Sequence, residues 1–184
     1  MKAKPSPTEL KTLIEELWGP EGGERQRLPR DEMSFDKWAH ARRLGFGEDS
    51  AVHHNSYVYG DVKLGAHSWV GPFTLLDGSG TLEIGDYCMV CAGVQIYTHD
   101  SVKWALSGGK DSYEKAPVKI GDCCYLGAGA IVTKGVTIAE HTVVGAGSLV
   151  NRDLPAYSVA VGSPCRVIGR VSVGEDGTVE LLRK

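Results

Sequence analysis

His99 is the residue whose type and position best suit chemistry in this chain. It lies in Ile96-Tyr-Thr-His-Asp100, at the start of the one long interruption in an otherwise regular pattern. An imidazole titrates near neutral pH, so it can take a proton from a hydroxyl or an amine under physiological conditions. His99 can therefore act as a general base if the fold turns it toward a groove.

The regular pattern around His99 has a period of six residues. From Val52 onward every sixth residue is a branched aliphatic, and the residue four positions later is small or compact. Two extra residues separate Leu76 from Ile84, after which the period resumes. Neither a helix nor a plain strand has this period, whereas a hexapeptide repeat in a parallel β-helix does. The aliphatic positions are Val52, Val58, Leu64, Val70, Leu76, Ile84, Val90, Ile96, Ile120, Leu126, Val132, Ile138, Val144 and Val150.

The repeat predicts an all-β fold, a triangular parallel β-helix of about five coils. The aliphatic residues point inward from the flat faces, and glycine supplies the conformations needed at the corners. Both ends of such a coil expose unpaired strand edges that must be covered. We expect short helices to cover one end and a C-terminal hairpin the other.

The chain divides into three segments. Residues 1–50 are interpreted as a helical N-terminal cap, with one helix opening at residues 7–10 and a second capped by Ser34 and ending near Leu44. Residues 51–168 form the β-helix, interrupted by a loop over residues 97–118. Residues 169–184 form the tail, where Gly174-Glu-Asp-Gly177 joins the two strands of a hairpin.

Composition and charge narrow the range of partners. The 184 residues include 24 Gly, 20 Lys and Arg, and 23 Asp and Glu, for a net charge of -3. This balance does not attract nucleic acid or an acidic membrane surface. No apolar run is long enough for a membrane span, and the N-terminus does not resemble a signal peptide. We expect a cytoplasmic protein with reduced thiols, since five Cys is an odd number.

The cysteine and histidine clusters are poor candidates for a metal site, and we predict no metal. Cys88-Met-Val-Cys91 has the spacing of a ligand pair. However, the repeat places Cys88 and Cys124 at the inward small position, where they should stack as buried thiols one coil apart. His53-His54 lies on the first coil, and His99 has no companion histidine at short spacing.

The coil and its histidine-led loop resemble the hexapeptide-repeat acyltransferases over about residues 52–170. The resemblance rests on the loop opening Ile96-Tyr-Thr-His-Asp100, the return Pro117-Val-Lys-Ile-Gly121, the run Leu126-Gly-Ala-Gly-Ala130 and the ending Gly162-Ser-Pro-Cys-Arg-Val-Ile168. The pattern is most similar to galactoside and maltose O-acetyltransferases and to sugar acetyltransferases of surface-polysaccharide pathways. It implies a left-handed coil, a homotrimer, acetyl-CoA as donor and active sites in grooves between subunits.

The resemblance also implies roles for individual residues. His99 falls at the position of the catalytic base. Contacts to CoA fall on Ala128, Ala146, Asn151, Arg152 and Arg166. Small side chains let the pantetheine arm approach the coil, and guanidinium groups suit phosphates. Arg170 is one position away from the second arginine of the family and is a weaker candidate.

Several polar and aromatic residues are candidates for the acceptor site. They are Asp100, Trp104, Tyr113 and Tyr125, and the rings of the three aromatic residues can stack on a sugar or nucleotide. The O-acetyltransferases have an asparagine in the segment that matches residues 91–94, where this chain has Gly93. This departure puts the source of the oxyanion donor in question.

The sequence predicts an acetyl-CoA-dependent acetyltransferase that acts on a sugar hydroxyl in cell-surface polysaccharide biosynthesis. The first alternative is N-acetylation of a nucleotide-linked amino sugar, which Gly93 favours. Two further alternatives are an antibiotic acetyltransferase and a non-catalytic β-helix scaffold.

Overall fold

Short parallel strands, stacked coil upon coil, form most of this computed structural model. The structure describes Thr12 and residues 35–183. Residues 36–184 form one unit, which contains the coil. The first predicted helix lies outside the described residues, apart from Thr12, which is helical.

Within residues 35–183 the helices are α1, Lys37–Arg43, and α2, Val102–Leu106. The strands are β1 Ala51–Val52, β2 Tyr57–Leu64, β3 Trp69–Val70, β4 Leu75–Ile84, β5 Met89–Val90, β6 Gln95–Ile96, β7 His99–Asp100, β8 Glu114–Lys115, β9 Val118–Ile120, β10 Tyr125–Leu126, β11 Ile131–Val132, β12 Thr137–Ile138, β13 Val143–Val144, β14 Leu149–Val150, β15 Ser158–Val161, β16 Arg166–Val173 and β17 Val179–Arg183.

The coil has three faces, which the chain visits in the order A, B, C. Face A holds β1, β3, β5, β10, β13 and β15. Face B holds the first parts of β2 and β4 with β6, β11 and β14, and face C holds their last parts with β9 and β12. Face A therefore has six levels, slightly more than the predicted five coils, because β15 adds a coil after Val150.

The six-residue period is confirmed as the pattern of the core. Of the predicted inward aliphatic residues, all except Val58 are buried, and Val58 packs against the buried cluster. Two-residue strands bury little surface individually, so the coils depend on stacking for a continuous apolar interior.

The inward small positions at the edge between faces C and A carry a column of donors. Cys88 and Cys124 are buried there, as predicted. The Cys88 thiol donates to the carbonyl of Gly121 in the next coil, with sulfur and oxygen 3.2 Å apart. Ser68, one coil earlier, makes the corresponding bond to Gly85 at 3.1 Å. The thiols therefore replace serine hydroxyls in satisfying corner carbonyls.

Additional elements lie at both ends of the coil. Helix α1 begins after Asp36, whose carboxylate accepts a hydrogen bond from the Ala39 N–H at 2.8 Å, so Asp36 rather than Ser34 is the N-cap. Ala41 and Phe46 join the buried core next to the first coil. At the other end the predicted hairpin is confirmed, because β16 and β17 pair antiparallel and β16 also pairs with β15.

The interruption after β6 is more ordered than the predicted loop. Strands β7 and β8 pair antiparallel at its base, with His99 opposite Lys115, and α2 lies between them. Val118 already belongs to β9, so the interruption ends one residue earlier than predicted. The strand pair satisfies backbone groups that a plain loop would leave to solvent. Of the helices that the structure describes, none is long and apolar enough to cross a membrane.

Removing one inward aliphatic side chain should destabilise the coil. Leu126 is 1% exposed, so Leu126→Ala should lower the free energy of unfolding by about 2–5 kcal/mol. Leu181→Ala is the matched control, since Leu181 is 56% exposed. Urea unfolding followed by circular dichroism measures both variants. Equal losses for the two would contradict the placement of Leu126 in the core.

Candidate active site

The imidazole of His99 is held by a buried carboxylate. Nδ1 of His99 lies 2.5 Å from Oδ2 of Asp77, which belongs to the preceding coil. The Asp77 side chain is fully buried, whereas the His99 side chain is 30% exposed. One side of the imidazole therefore faces a fixed acceptor, and the ring remains accessible to a substrate.

Hydrogen bonds keep Asp77 ionised. Burial raises the pKa of this carboxyl, but hydrogen bonds from Ser79, His99 and Thr98 outweigh burial and lower it to about 2. The backbone N–H groups of Ser79 and Thr98 donate at 2.8 and 2.9 Å. At neutral pH Asp77 can only accept, so the hydrogen it shares with the imidazole is on Nδ1. Nε2 is then the nitrogen that can take a proton.

Asp77 lies in the segment that contains the two extra residues of the repeat, and Thr98 holds this segment in place by hydrogen bonds. The segment between Leu76 and Ile84 crosses from face B to face C, and Thr98 fastens it to the strand that leads to His99. The Thr98 hydroxyl donates to the Asp77 carbonyl and accepts from the Gly80 N–H, both at 2.8 Å. A Cβ on Gly80 would lie 2.5 Å from the Thr98 carbonyl oxygen, so only glycine fits this approach.

The two extra residues are evident in the sequence, but the role of Asp77 was not predicted from them. The irregular spacing was the available signal. It occurs in the coil immediately before the one that carries His99, and it contains a carboxylate between an inward leucine and two glycines.

Lys134, which lies in the next coil, forms ion pairs with the segment that interrupts the repeat after β6. Nζ of Lys134 lies 2.9 Å from Asp100 and 3.1 Å from Glu114, on the two paired strands. Lys103 of α2 also contacts Glu114. The hydrogen bond from Lys134 lowers the pKa of Asp100, and those from Lys103 and Lys134 lower the pKa of Glu114. Lys134 thus holds β7 and β8 beside His99. The sequence pattern did not predict this role.

Two of the predicted acceptor-site aromatics lie beside His99. The ring centroids of His99 and Tyr113 are 6.3 Å apart, and Tyr113 meets Trp104 edge to face at 5.6 Å. The side chain of Asp100 points to Lys134 and to the backbone N–H of Val102. Trp104 and Tyr113 are about half exposed and can offer ring faces to a ligand.

The structure does not bring the fourth predicted acceptor-site residue to this cluster. Tyr125 lies on β10 of face A, paired with Met89 and Val143 on the neighbouring strands. A hydrogen bond to Cys91 raises the pKa of the Tyr125 phenol. Tyr125 and His99 are therefore on different faces of one chain.

The residues that the resemblance assigns to CoA lie at different places on the coil. Ala128 and Ala146 are exposed in turns that precede face B, which we call the AB edge. Asn151 and Arg152 are exposed directly after β14. They lie on the edge between faces B and C, which we call the BC edge and on which His99 also lies. Arg166 opens β16 and donates to the Cys165 carbonyl at 2.7 Å.

Face B separates the AB edge from His99. From Gly93 to His99 the chain crosses this face in six residues, or roughly 15–20 Å at the rise of a β-strand. Gly93 itself has a φ of +70° and lies on the AB edge, so the position that departs from the family pattern is not next to His99 of the same chain.

The cysteines and histidines form no metal site in the described part of the chain. Within Thr12 and residues 35–183, no group of three or more His, Cys, Asp or Glu side chains could hold a metal ion. All five cysteines are free thiols.

Comparison with known proteins agrees with this fold. The family of bacterial transferases with six hexapeptide repeats matches residues 109–152. A maltose O-acetyltransferase structure from Clostridium difficile is 30% identical, with a TM-score of 0.66, over 89% of this chain and 86% of that chain. An acetyltransferase structure from Vibrio cholerae, solved with acetyl-CoA, is 24% identical, with a TM-score of 0.67, over 76% of this chain and 80% of that chain.

Curated sequences give shorter matches. The galactoside O-acetyltransferase of Escherichia coli is 36% identical over 93 residues, which are 50% of this chain and 45% of that protein. The chain spans between 31% and 45% of the length of the curated relatives it matches. The protein belongs to the hexapeptide-repeat acetyltransferase superfamily, whose left-handed β-helix is the fold described above.

Replacing Asp77 should change how stability depends on pH. The pKa of Asp77 falls from an ordinary 3.8 to about 2 in the folded protein. Its contribution is therefore present above about pH 4 and is lost as the pH falls toward 2. Between pH 6 and pH 2.5 the wild type should lose about 1.5 kcal/mol more unfolding free energy than Asp77→Asn.

Urea unfolding at the two pH values measures this difference. Asp61→Asn, which removes an exposed carboxylate at the same edge, controls for the loss of one charge. An unchanged pH dependence in Asp77→Asn would show that the hydrogen bonds at Asp77 do not hold its pKa down.

Removing the Lys134 ammonium should loosen the interruption. Lys134→Met keeps the aliphatic stem but loses both ion pairs, so amide hydrogen exchange over residues 100–115 should become about five- to tenfold faster. Lys119→Met is the control, because Lys119 also faces a carboxylate, Glu83 at 3.6 Å, but on face C. Equal amide exchange rates over residues 100–115 in the two variants would contradict this role of Lys134.

Proposed function

We propose that the protein is an acetyl-CoA-dependent acetyltransferase that transfers an acetyl group to a sugar hydroxyl. The observation that carries the proposal is the pairing of His99 with ionised Asp77, which leaves Nε2 available as a proton acceptor beside exposed aromatic rings. Membership of the acetyltransferase superfamily supports this reading of the pair.

The reaction requires one base and a positioned thioester. Nε2 of His99 takes the proton of the acceptor hydroxyl as its oxygen attacks the thioester carbonyl. The C–O bond forms, the C–S bond breaks, and the CoA thiolate leaves with the proton from the imidazolium. Asp77 stabilises the imidazolium in between and keeps the ring from rotating.

The proposed acetyl-CoA site includes positions that carry small side chains. Ala128 and Ala146 leave room for the pantetheine arm, and Asn151, Arg152 and Arg166 provide polar and cationic groups for the rest of CoA. Acetyl-CoA is the ligand of the Vibrio cholerae acetyltransferase, which shares the fold.

A homotrimer would bring these parts together. His99 lies on the BC edge, while Ala128 and Ala146 lie on the AB edge of the same chain. In such a trimer the BC edge of one subunit faces the AB edge of the next across a groove. His99 then lies opposite Ala128 and Ala146, the positions proposed to contact the pantetheine arm. Tyr125, on face A, would then contact a neighbouring subunit.

The acceptor is proposed to be a sugar, as in the maltose and galactoside O-acetyltransferases to which the chain is similar. Trp104 and Tyr113 can stack on a pyranose ring. A sugar of a surface polysaccharide fits this class. N-acetylation of a nucleotide-linked amino sugar remains the second candidate, because Gly93 departs from the O-acetyltransferase pattern.

Release of CoA thiol from acetyl-CoA tests the proposal. The acceptors are maltose, 4-nitrophenyl β-D-galactoside, a nucleotide-linked amino sugar and chloramphenicol. We expect turnover with a sugar hydroxyl, and His99→Asn should lower kcat about 100- to 10,000-fold because the base is lost. His141→Asn is the control, since His141 stacks on Tyr157 at 4.6 Å on a different edge.

The pattern of acceptors separates the candidates. Turnover of the amino sugar alone would favour N-acetylation, and turnover of chloramphenicol alone would favour an antibiotic acetyltransferase. A lack of acetyl-CoA binding in calorimetry would favour a non-catalytic β-helix scaffold. Full activity in His99→Asn would overturn the role of His99.

A further inference from the structure

Phe73 is an exposed aromatic residue in a backbone conformation that aromatic residues rarely adopt. It lies in the turn between β3 and β4, with a φ of +58°, and is 71% exposed. A left-handed conformation costs a non-glycine residue about 1 kcal/mol or more. Such outliers, when retained, often occur at functional sites.

Phe73 directly precedes a column of glycines on the AB edge. Gly93, Gly129 and Gly147 occupy the same position in later coils, each two residues before a face B strand and each with a positive φ. A Cβ on Gly129 or Gly147 would meet no other atom within 4 Å. The edge is therefore clear in the coils of Ala128 and Ala146, and it carries a ring only at Phe73.

Phe73 also differs from the other aromatic residues with positive φ. Tyr87 stacks on His67 with ring centroids 4.7 Å apart, and Tyr157 stacks on His141 at 4.6 Å. In the described part of the chain no ring stacks on Phe73. Among the described residues, the exposed face of Phe73 therefore has no aromatic partner.

The position of Phe73 along the coil axis matches the acceptor side of the proposed site. His99 and Gly93 belong to one coil, on either side of β6. Ala128 and Ala146 lie one and two coils beyond it, while Phe73 lies one coil before it, and coils are about 4.8 Å apart. In the proposed arrangement a pantetheine arm along the two alanines occupies the levels beyond His99, which leaves the level of Phe73 for the acceptor.

We infer that Phe73 is an acceptor-binding residue that a neighbouring subunit supplies to each active site, with its ring stacked on the apolar face of the acceptor sugar. The inference rests on the proposed function and names a residue for its acceptor site. Phe73 and His99 of one chain lie on opposite edges of face B, so the ring reaches a given His99 across the groove between two copies.

Phe73→Gly tests the stacking, since glycine is the residue found at the corresponding positions of later coils. With 4-nitrophenyl β-D-galactoside as acceptor, the KM for the galactoside should rise about tenfold, which is the loss expected for one aromatic stacking contact. The KM for acetyl-CoA and the trimer mass in light scattering should stay unchanged. Phe73→Tyr should retain the wild-type KM.

Tyr87→Gly is the matched control. Tyr87 has a φ of +54° and is 62% exposed, but it lies on the edge between faces C and A. Its replacement should leave the KM for the galactoside unchanged. An equal rise in both variants would show that the effect comes from loss of an exposed ring and not from a contact at the site.

Mixed trimers test which subunit supplies the ring. When His99→Asn and Phe73→Gly chains are combined, some sites pair an intact His99 with an intact Phe73 from the neighbour. A fraction of the turnover should then recover the wild-type KM for the galactoside. If both residues come from one chain, mixed trimers show only the raised KM.

The outcomes distinguish the two proposals. A wild-type protein that acetylates no sugar contradicts the proposed function, and the role of Phe73 is then abandoned with it. Wild-type turnover with an unchanged galactoside KM in Phe73→Gly contradicts the role of Phe73 alone. Loss of the trimer in Phe73→Gly identifies the ring as an interface contact and also overturns the inference.

Discussion

Coil-to-coil stacking in a six-residue register is the constraint on which the rest of the structure depends. Because each backbone bonds to the coils above and below, every position of the repeat forms a column along the axis. Inward columns become the aliphatic core and a line of hydroxyl and thiol donors such as Ser68 and Cys88. Outward columns become edges whose chemistry is set by what stands in the same position of successive coils.

The candidate site arises where this register is broken twice. Two extra residues after Leu76 let Asp77 turn its carboxylate inward, and the interruption after Ile96 begins two residues before His99. Thr98 joins the two departures through hydrogen bonds to the Asp77 segment. A buried, ionised carboxylate thus orients a partly exposed imidazole, while the regular coils on either side provide a rigid support.

The column arrangement also explains why one chain holds only part of the proposed site. A flat face lies between the edge with His99 and the edge with Ala128 and Ala146, and no loop in the described residues bridges them. In the proposed trimer, edges of different copies meet in a groove that can hold a long donor and an acceptor. Phe73 on the AB edge acquires a proposed role only in this arrangement.

The sequence by itself determined the fold and singled out His99 as the candidate base. A period of six predicts a parallel β-helix, so the core residues, the stacked thiols and the interruption after Ile96 could be predicted from spacing, and the hairpin from its turn residues. The sequence did not indicate how the departures from the period fold. Asp77 with His99, Lys134 with Asp100, and the separation of Tyr125 from the loop depend on which residues lie side by side in neighbouring coils. The tertiary structure decided these contacts, because they join residues about one or two coils apart whose spacing follows no repeat.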